Sequence, residues 1–192
     1  YVKQRYGVYG VLIGNGAEKR TTRPLSSSQF QGLTPYKYIL FVARLVPDKR
    51  ADLLIRAFQS LTDRRGRKLV LAGPSWFSED YVVSLRKLAN DDPDIIFVGE
   101  VGDYEIEQLY PNCETYVLPS EVEGMSLSLL DAMAFGACVI VSDIPGNAAV
   151  VAEAGLKFRS GSVEELTDCL TTFINREDFA NELRDRARAR VT

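Results

Sequence analysis

From Tyr38 onward the chain repeats one unit: a short, almost unbroken apolar run, then a segment whose apolar residues recur at helical spacing. The runs are expected as strands over 38–43, 68–72, 94–98, 115–118, 138–141 and 156–158. Helices are expected over 51–64, 79–90, 104–110, 124–135, 163–175 and 178–190. Strands this rich in Val, Ile, Leu and Phe suit burial on both faces. Strand–helix alternation of this kind implies an α/β fold, a doubly wound, Rossmann-like parallel sheet with right-handed crossovers. Asp103 reads as an N-cap, and Ser162-Val163-Glu164-Glu165 as a capping box.

Composition narrows the function. A length of 192 residues fits one domain with appended pieces. Residues 1–35 break the alternation: 9–13 resembles a strand, Asn15-Gly16 a turn and 24–35 a polar connector. They are expected to be the end of a preceding domain and an interdomain connector, with 36–192 as the α/β domain. The net charge of −3 with mixed signs gives no footprint for nucleic acid. The basic run Arg64-Arg65-Gly66-Arg67-Lys68 is expected to be a solvated helix end and turn. Asp91-Asp92 is expected to be turn chemistry. No apolar run reaches the roughly 20 residues that span a bilayer. Cys113, Cys138 and Cys169 are odd in number and sit in apolar segments, as buried thiols do in a reducing, cytoplasmic compartment. With no histidine, Ser-His-Asp and Cys-His nucleophiles and every His-based metal site are excluded.

The richest segment is 119–136, Pro-Ser-Glu-Val-Glu-Gly-Met-Ser-Leu-Ser-Leu-Leu-Asp-Ala-Met-Ala-Phe-Gly. A helix opening at Gly124 would leave the amides of Gly124 to Leu127 without intrahelical partners at the positive end of its dipole, where phosphate binds. Glu123 precedes it and Asp131 follows eight residues later, roughly 12 Å along a continuous helix at about 1.5 Å per residue. That span suits hydroxyls at both ends and phosphates between them, as in a nucleotide-sugar. Taken alone, an acid before a helix is ordinary dipole compensation. The segments 44–49, 73–74, 99–102, 119–124 and 142–147 all fall at the carboxyl ends of expected strands, where such sheets bind ligands.

Together these rim segments resemble the C-terminal, donor-binding half of retaining GT-B glycosyltransferases of the family 4, or group 1, type, over nearly the whole chain. The segments that carry the resemblance are Asn15-Gly16-Ala17-Glu18, Phe41-Val42-Ala43-Arg44-Leu45 with Lys49, Ala72-Gly73-Pro74 and Phe97-Val98-Gly99. Glu123-Gly124-Met125-Ser126-Leu127 through Asp131-Ala132-Met133-Ala134 resembles the family's Glu-x7-Glu signature. Gly136 to Ile140, Ser142 to Asn147 and Ala154-Gly155-Leu156 complete the order.

The resemblance implies that Arg44 and Lys49 neutralise the donor diphosphate and that Glu123 holds sugar hydroxyls. These three are the residues it implies for the transfer itself. Gly124, Met125, Ser126 and Leu127 would offer amides to the phosphates, Asp131 would take the ribose hydroxyls, and Gly99 and Val101 would flank the base. It further implies transfer of a hexosyl unit from a UDP-, GDP- or ADP-sugar to a glycan, lipid or small-molecule acceptor, with retention, without a metal or other cofactor and without a protein base. The acceptor domain would be an N-terminal Rossmann-like partner, which would also make any membrane contact, and the present chain would be inactive without it. The sequence departs from the pattern at several positions. Asp131 stands for Glu, Met125 for Phe, Cys138 for Pro, Ala43 for Gly, and Ala149 where a Glu often follows. A GT-B nucleotide-sugar epimerase and a non-catalytic ligand-binding or interaction module remain open as alternatives. A dehydrogenase fits poorly, because Ala43 to Asp48 contains no Gly-x-Gly-x-x-Gly turn.

Overall fold

A computed structural model describes residues 5, 7, 16–17, 21–26, 28–76 and 78–191. Among these, strands β1 (Tyr38–Val42), β2 (Lys68–Ala72), β3 (Ile95–Gly99), β4 (Thr115–Leu118), β5 (Cys138–Ser142) and β6 (Leu156–Phe158) form one sheet. Every pairing is parallel and the spatial order is β3-β2-β1-β4-β5-β6. The helices are α1 (Ala51–Gln59), α2 (Glu79–Ala89), α3 (Asp103–Asn112), α4 (Leu127–Ala134), α5 (Pro145–Val151), α6 (Val163–Asn175) and α7 (Glu177–Val191). A turn of 3-10 helix, Pro47–Lys49, precedes α1.

The sheet is covered on both faces, as its apolar strands require. Phe41, Leu69 and Ile140 point into one core with α1, α2 and α6; Leu40, Val70 and Tyr116 point into the other with α3, α4 and α5. Helix α7 closes the second core with Ala187, and Arg184 donates to the Glu114 carbonyl at 3.2 Å. Residues 21–26 and 28–36 dock on α3: the Arg23 amide donates to the Glu107 carbonyl at 2.9 Å and the Tyr36 amide to the Asn112 carbonyl at 2.7 Å. The expected strand over 9–13, and Asn15 and Glu18 of the expected linker turn, lie outside the described residues.

Several boundaries differ from expectation for local reasons. Helix α1 ends at Gln59, not 64: the Ser60 amide still reaches the Arg56 carbonyl at 3.0 Å, but the Leu61 amide turns to the Phe58 carbonyl at 3.3 Å. The following turn then needs the left-handed conformations of Arg65 and Gly66. Arg67 is not solvated. It is 1% exposed and forks onto Glu114, with Nε to Oε2 at 2.5 Å and Nη2 to Oε1 at 2.6 Å. Gly102 is the N-cap of α3, with its amide on Glu105 Oε2 at 3.0 Å, so Asp103 falls inside the first turn. Ser162 caps α6 through the Glu165 amide at 3.1 Å, while the Glu165 carboxylate accepts from the Arg159 amide at 2.7 Å. The capping box is therefore half formed. Helix α5 was not foreseen; Pro145 at its first position was the available signal. Asp92 Oδ1 accepts from the Asp94 amide at 3.0 Å, the turn chemistry expected there.

Candidate functional site

The strand order reverses direction between β1 and β4, so the loops after these two strands face one another across a crevice at the carboxyl rim. The loop after β1 carries Arg44 and Lys49; the loop after β4 carries Glu121 and Glu123. They are joined directly. The Glu121 amide donates to the Asp48 carbonyl at 2.9 Å, and Lys49 Nζ donates to Glu123 Oε1 at 2.9 Å. The side chains of that ion pair are 14% and 11% exposed, sheltered enough for the charges to matter to each other. Asp48 lies 3.3 Å from the same ammonium. Arg50 adds a clamp: its guanidinium forks onto Asp52 and reaches Glu121. Arg50 itself is held at φ 54°, a conformation rare without glycine. Burial alone would raise the Asp52 carboxyl, but hydrogen bonds from Arg50 and Tyr81 prevail and hold it below the ordinary value. Arg44 differs from Lys49. It is exposed at the end of β1 and makes no side-chain hydrogen bond or ion pair with the described residues.

Helix α4 opens at Leu127 and not at Gly124, so Gly124 and Met125 lie in the turn before it. The separation of Glu123 from Asp131 is therefore not one straight rise of helix. Ser126 is the N-cap and accepts the Leu129 amide at 3.4 Å, which leaves Leu127 and Ser128 as first-turn donors outside the helical ladder. Behind the cap, hydroxyls run inward. Ser126 Oγ lies 3.0 Å from Ser128 Oγ, Ser128 Oγ lies 2.8 Å from Tyr116 Oη, and Tyr116 Oη donates to the Val42 carbonyl at 3.3 Å. With the proton of Tyr116 given to Val42, each serine donates one step inward and Ser126 keeps lone pairs for the Leu129 amide. The Ser126 hydroxyl is thereby committed inward, and the amides of Leu127 and Ser128 are the donors left at the start of α4. Burial pushes the Tyr116 phenol well above its ordinary value; Ser128 opposes this, and the charges of Glu123 and Asp131 add to the rise. Both carboxylates thus act on one buried hydroxyl beneath the start of α4.

Gly99 ends β3 at the sheet edge, three strands from β4, and Val101 lies in the loop that follows. At about 4.8 Å per strand that is roughly 14 Å across the rim. They belong to the same rim without touching the Lys49–Glu123 bridge. Two other glycines fix the rim's shape. A Cβ on Gly73 would stand 1.9 Å from the Ala43 carbonyl, and one on Gly146 2.3 Å from the Glu123 carbonyl. A cavity of about 400 Å³ between the starts of α4 and α5 is lined by Gly124, Met125, Gly146, Ala149 and Arg190, among others. Among the described residues no group of three or more Asp, Glu or Cys is placed to hold a metal ion. No helix among them is long and apolar enough to cross a membrane.

Residues 24–190 match the family described as glycosyl transferases group 1. The chain belongs to that family. An uncharacterized glycosyltransferase of Methanocaldococcus jannaschii is 36% identical over 110 residues, 57% of this chain and 28% of that protein. The fold is that of a sucrose-phosphate synthase from Thermosynechococcus elongatus, with TM-score 0.82 and 22% identity over 99% of this chain and 50% of that one. It is likewise that of Anabaena HepE in complex with UDP and glucose, with TM-score 0.75 and 23% identity over 82% of this chain and 45% of that one. The chain thus spans about half or less of the length of these proteins. In this member of the group 1 glycosyltransferase family, the segment 119–124 is expected at the rim but Ser120 and Glu121 carry no expected role within it, and Tyr116, Ser128 and Arg50 are not among the expected rim residues. Their roles come from tertiary hydrogen bonds, and the usable signal was their position next to strand ends.

Proposed function

We propose that this chain is the donor-binding part of a retaining, metal-independent glycosyltransferase that takes a hexosyl unit from a nucleoside-diphosphate sugar. The single observation that carries this reading is the Lys49–Glu123 bridge across the β1–β4 crevice, beside the open amides of α4. UDP bound to Anabaena HepE, a protein of the same fold, supports a nucleotide-sugar as the donor. In this reading Arg44, exposed and without an internal partner, turns onto the diphosphate. Lys49 adds a second positive charge at the crevice while holding Glu123. The amides of Leu127 and Ser128 take phosphate oxygens, Asp131 the ribose, and the Gly99–Val101 edge the base.

Transfer breaks the bond between the anomeric carbon and the phosphate oxygen, and the new bond to the acceptor oxygen forms on the same face. The acceptor's proton passes to the departing phosphate, so the chain supplies no base. Fixed cations and amides stabilise the charge that grows on that phosphate, where hydrogen bonds and charges placed in advance act most strongly. Glu123 orients the sugar. The acceptor site belongs to a further domain, and this chain alone binds donor without turning it over. The test uses a full-length protein carrying this segment, supplied with each nucleotide-sugar in turn. Retention at the anomeric carbon, unchanged by a chelator, is the expected product outcome. An inverted product, or activity abolished by chelation and restored by a divalent ion, overturns the mechanism.

A further inference from the structure

Glu123 is oriented from behind by a buried polar chain that the donor never needs to touch. Its Oε1 accepts from Lys49 Nζ and also from Ser120 Oγ, each at 2.9 Å. No hydrogen bond to Oε2 is made by the described residues, so that oxygen is the one left for a ligand. Ser120 is itself held: its carbonyl accepts from Ser142 Oγ at 2.5 Å, and Ser142 Oγ in turn accepts from Asn147 Nδ2 at 3.0 Å. Ser120, Ser142 and Asn147 are all fully buried, and they lie on the β4 loop, the end of β5 and helix α5.

The chain has one direction. Asn147 can only donate through Nδ2, Ser142 must then pass its own proton to the Ser120 carbonyl, and the Ser120 hydroxyl is free to donate to Glu123. Asn147 is also an expensive choice for a packing residue, because its Oδ1 is buried with no hydrogen-bond partner. An orphaned buried acceptor costs about 1–3 kcal/mol, which an apolar side chain of similar size would avoid. The carboxamide therefore has a use for its donor that outweighs its unsatisfied acceptor. Gly146, the preceding residue, lets α5 approach the Glu123 and Gly124 carbonyls closely enough for this contact.

We propose that Ser120, Ser142 and Asn147 are positioning residues for Glu123, fixing the carboxylate so that Oε2 faces the sugar of the donor. The inference rests on the donor-binding reading above and deepens it: recognition of the sugar, as distinct from the nucleotide, depends on this chain.

The experiment measures affinity for a free nucleoside diphosphate and for its hexosyl derivative, using UDP, GDP and ADP and their glucose or mannose derivatives, on wild type and three variants. Ser120→Ala removes the bond to Glu123. Asn147→Asp keeps the shape but abolishes the donor, so that Ser142 turns its proton away from Ser120. Ser142→Ala cuts the middle, and thermal melting checks that each variant folds. The expected result is a loss of about tenfold in affinity for the nucleotide-sugar, as for one hydrogen bond to a charged group, with affinity for the bare diphosphate unchanged. Should Asn147→Asp fail to fold, Ser120→Ala alone decides. Equal loss for sugar and bare diphosphate, or no loss for either, overturns the proposal. If wild type binds none of the diphosphates, the donor-binding reading itself has failed, and that outcome is separate.

Discussion

Replacing Gly146 with alanine tests the packing of the site through the sign of its effect. Gly146 is the second residue of α5, and within a helix glycine-to-alanine normally stabilises by about 0.5–1 kcal/mol. Here the added Cβ would meet the Glu123 carbonyl oxygen at 2.3 Å and the Gly124 carbonyl oxygen at 2.8 Å. The first falls short of ordinary van der Waals contact by about 1 Å. Both obstructing atoms are backbone, so relief requires the turn that carries Glu123 to move away from α5. Overpacking of this kind costs about 1–3 kcal/mol, which in a domain of this size lowers the melting temperature by roughly 3–10 °C. The same movement misplaces the Glu123 carboxylate, and an error of about 1 Å at a binding group can cost up to a hundredfold. Thermal unfolding followed by nucleotide-sugar titration measures both. A variant that melts at or above wild type and binds donor equally well would refute the close approach of α5 to the Glu123 turn.

Three further outcomes are expected. Glu114→Ala leaves the Arg67 guanidinium buried without its forked partner, and a broken buried pair costs about 3–5 kcal/mol; urea unfolding that shifts by less than 1 kcal/mol contradicts the pairing. Asp131→Asn weakens nucleoside diphosphates by about tenfold but leaves inorganic pyrophosphate unaffected, as expected for a carboxylate on ribose; equal weakening of both places Asp131 elsewhere. Burial pushes the Cys138 and Cys169 thiols each up to about 11, from an ordinary 9.0. The unfolded chain therefore loses these protons first, so stability is full below about pH 9 and falls as pH climbs towards about 11. Urea midpoints that stay level over that range would contradict the burial of both thiols.

The fold was legible because its strands are nearly all apolar, a pattern that a doubly covered sheet accommodates, and every strand expected from Tyr38 onward is present to within a residue or so. The rim followed from strand ends alone. What could not be read came from distant partners. Arg67 looked solvated beside Arg64 and Arg65, yet Glu114, 47 residues away, draws it into the core. The opening of α4 is expected at Gly124 but falls three residues later, where the Ser126 hydroxyl captures the Leu129 amide and fixes the start. Lys49 and Glu123 were each singled out, but not as a pair. Only the adjacency of β1 and β4 makes them one.

The most direct test is calorimetric titration of the chain with UDP, GDP and ADP, for wild type, Arg44→Ala and Lys49→Ala. Saturable binding of at least one diphosphate, weakened about tenfold or more by each substitution, is the predicted result for charges at a diphosphate. No binding at millimolar nucleotide, or binding indifferent to both substitutions, would contradict a diphosphate site at the β1–β4 crevice.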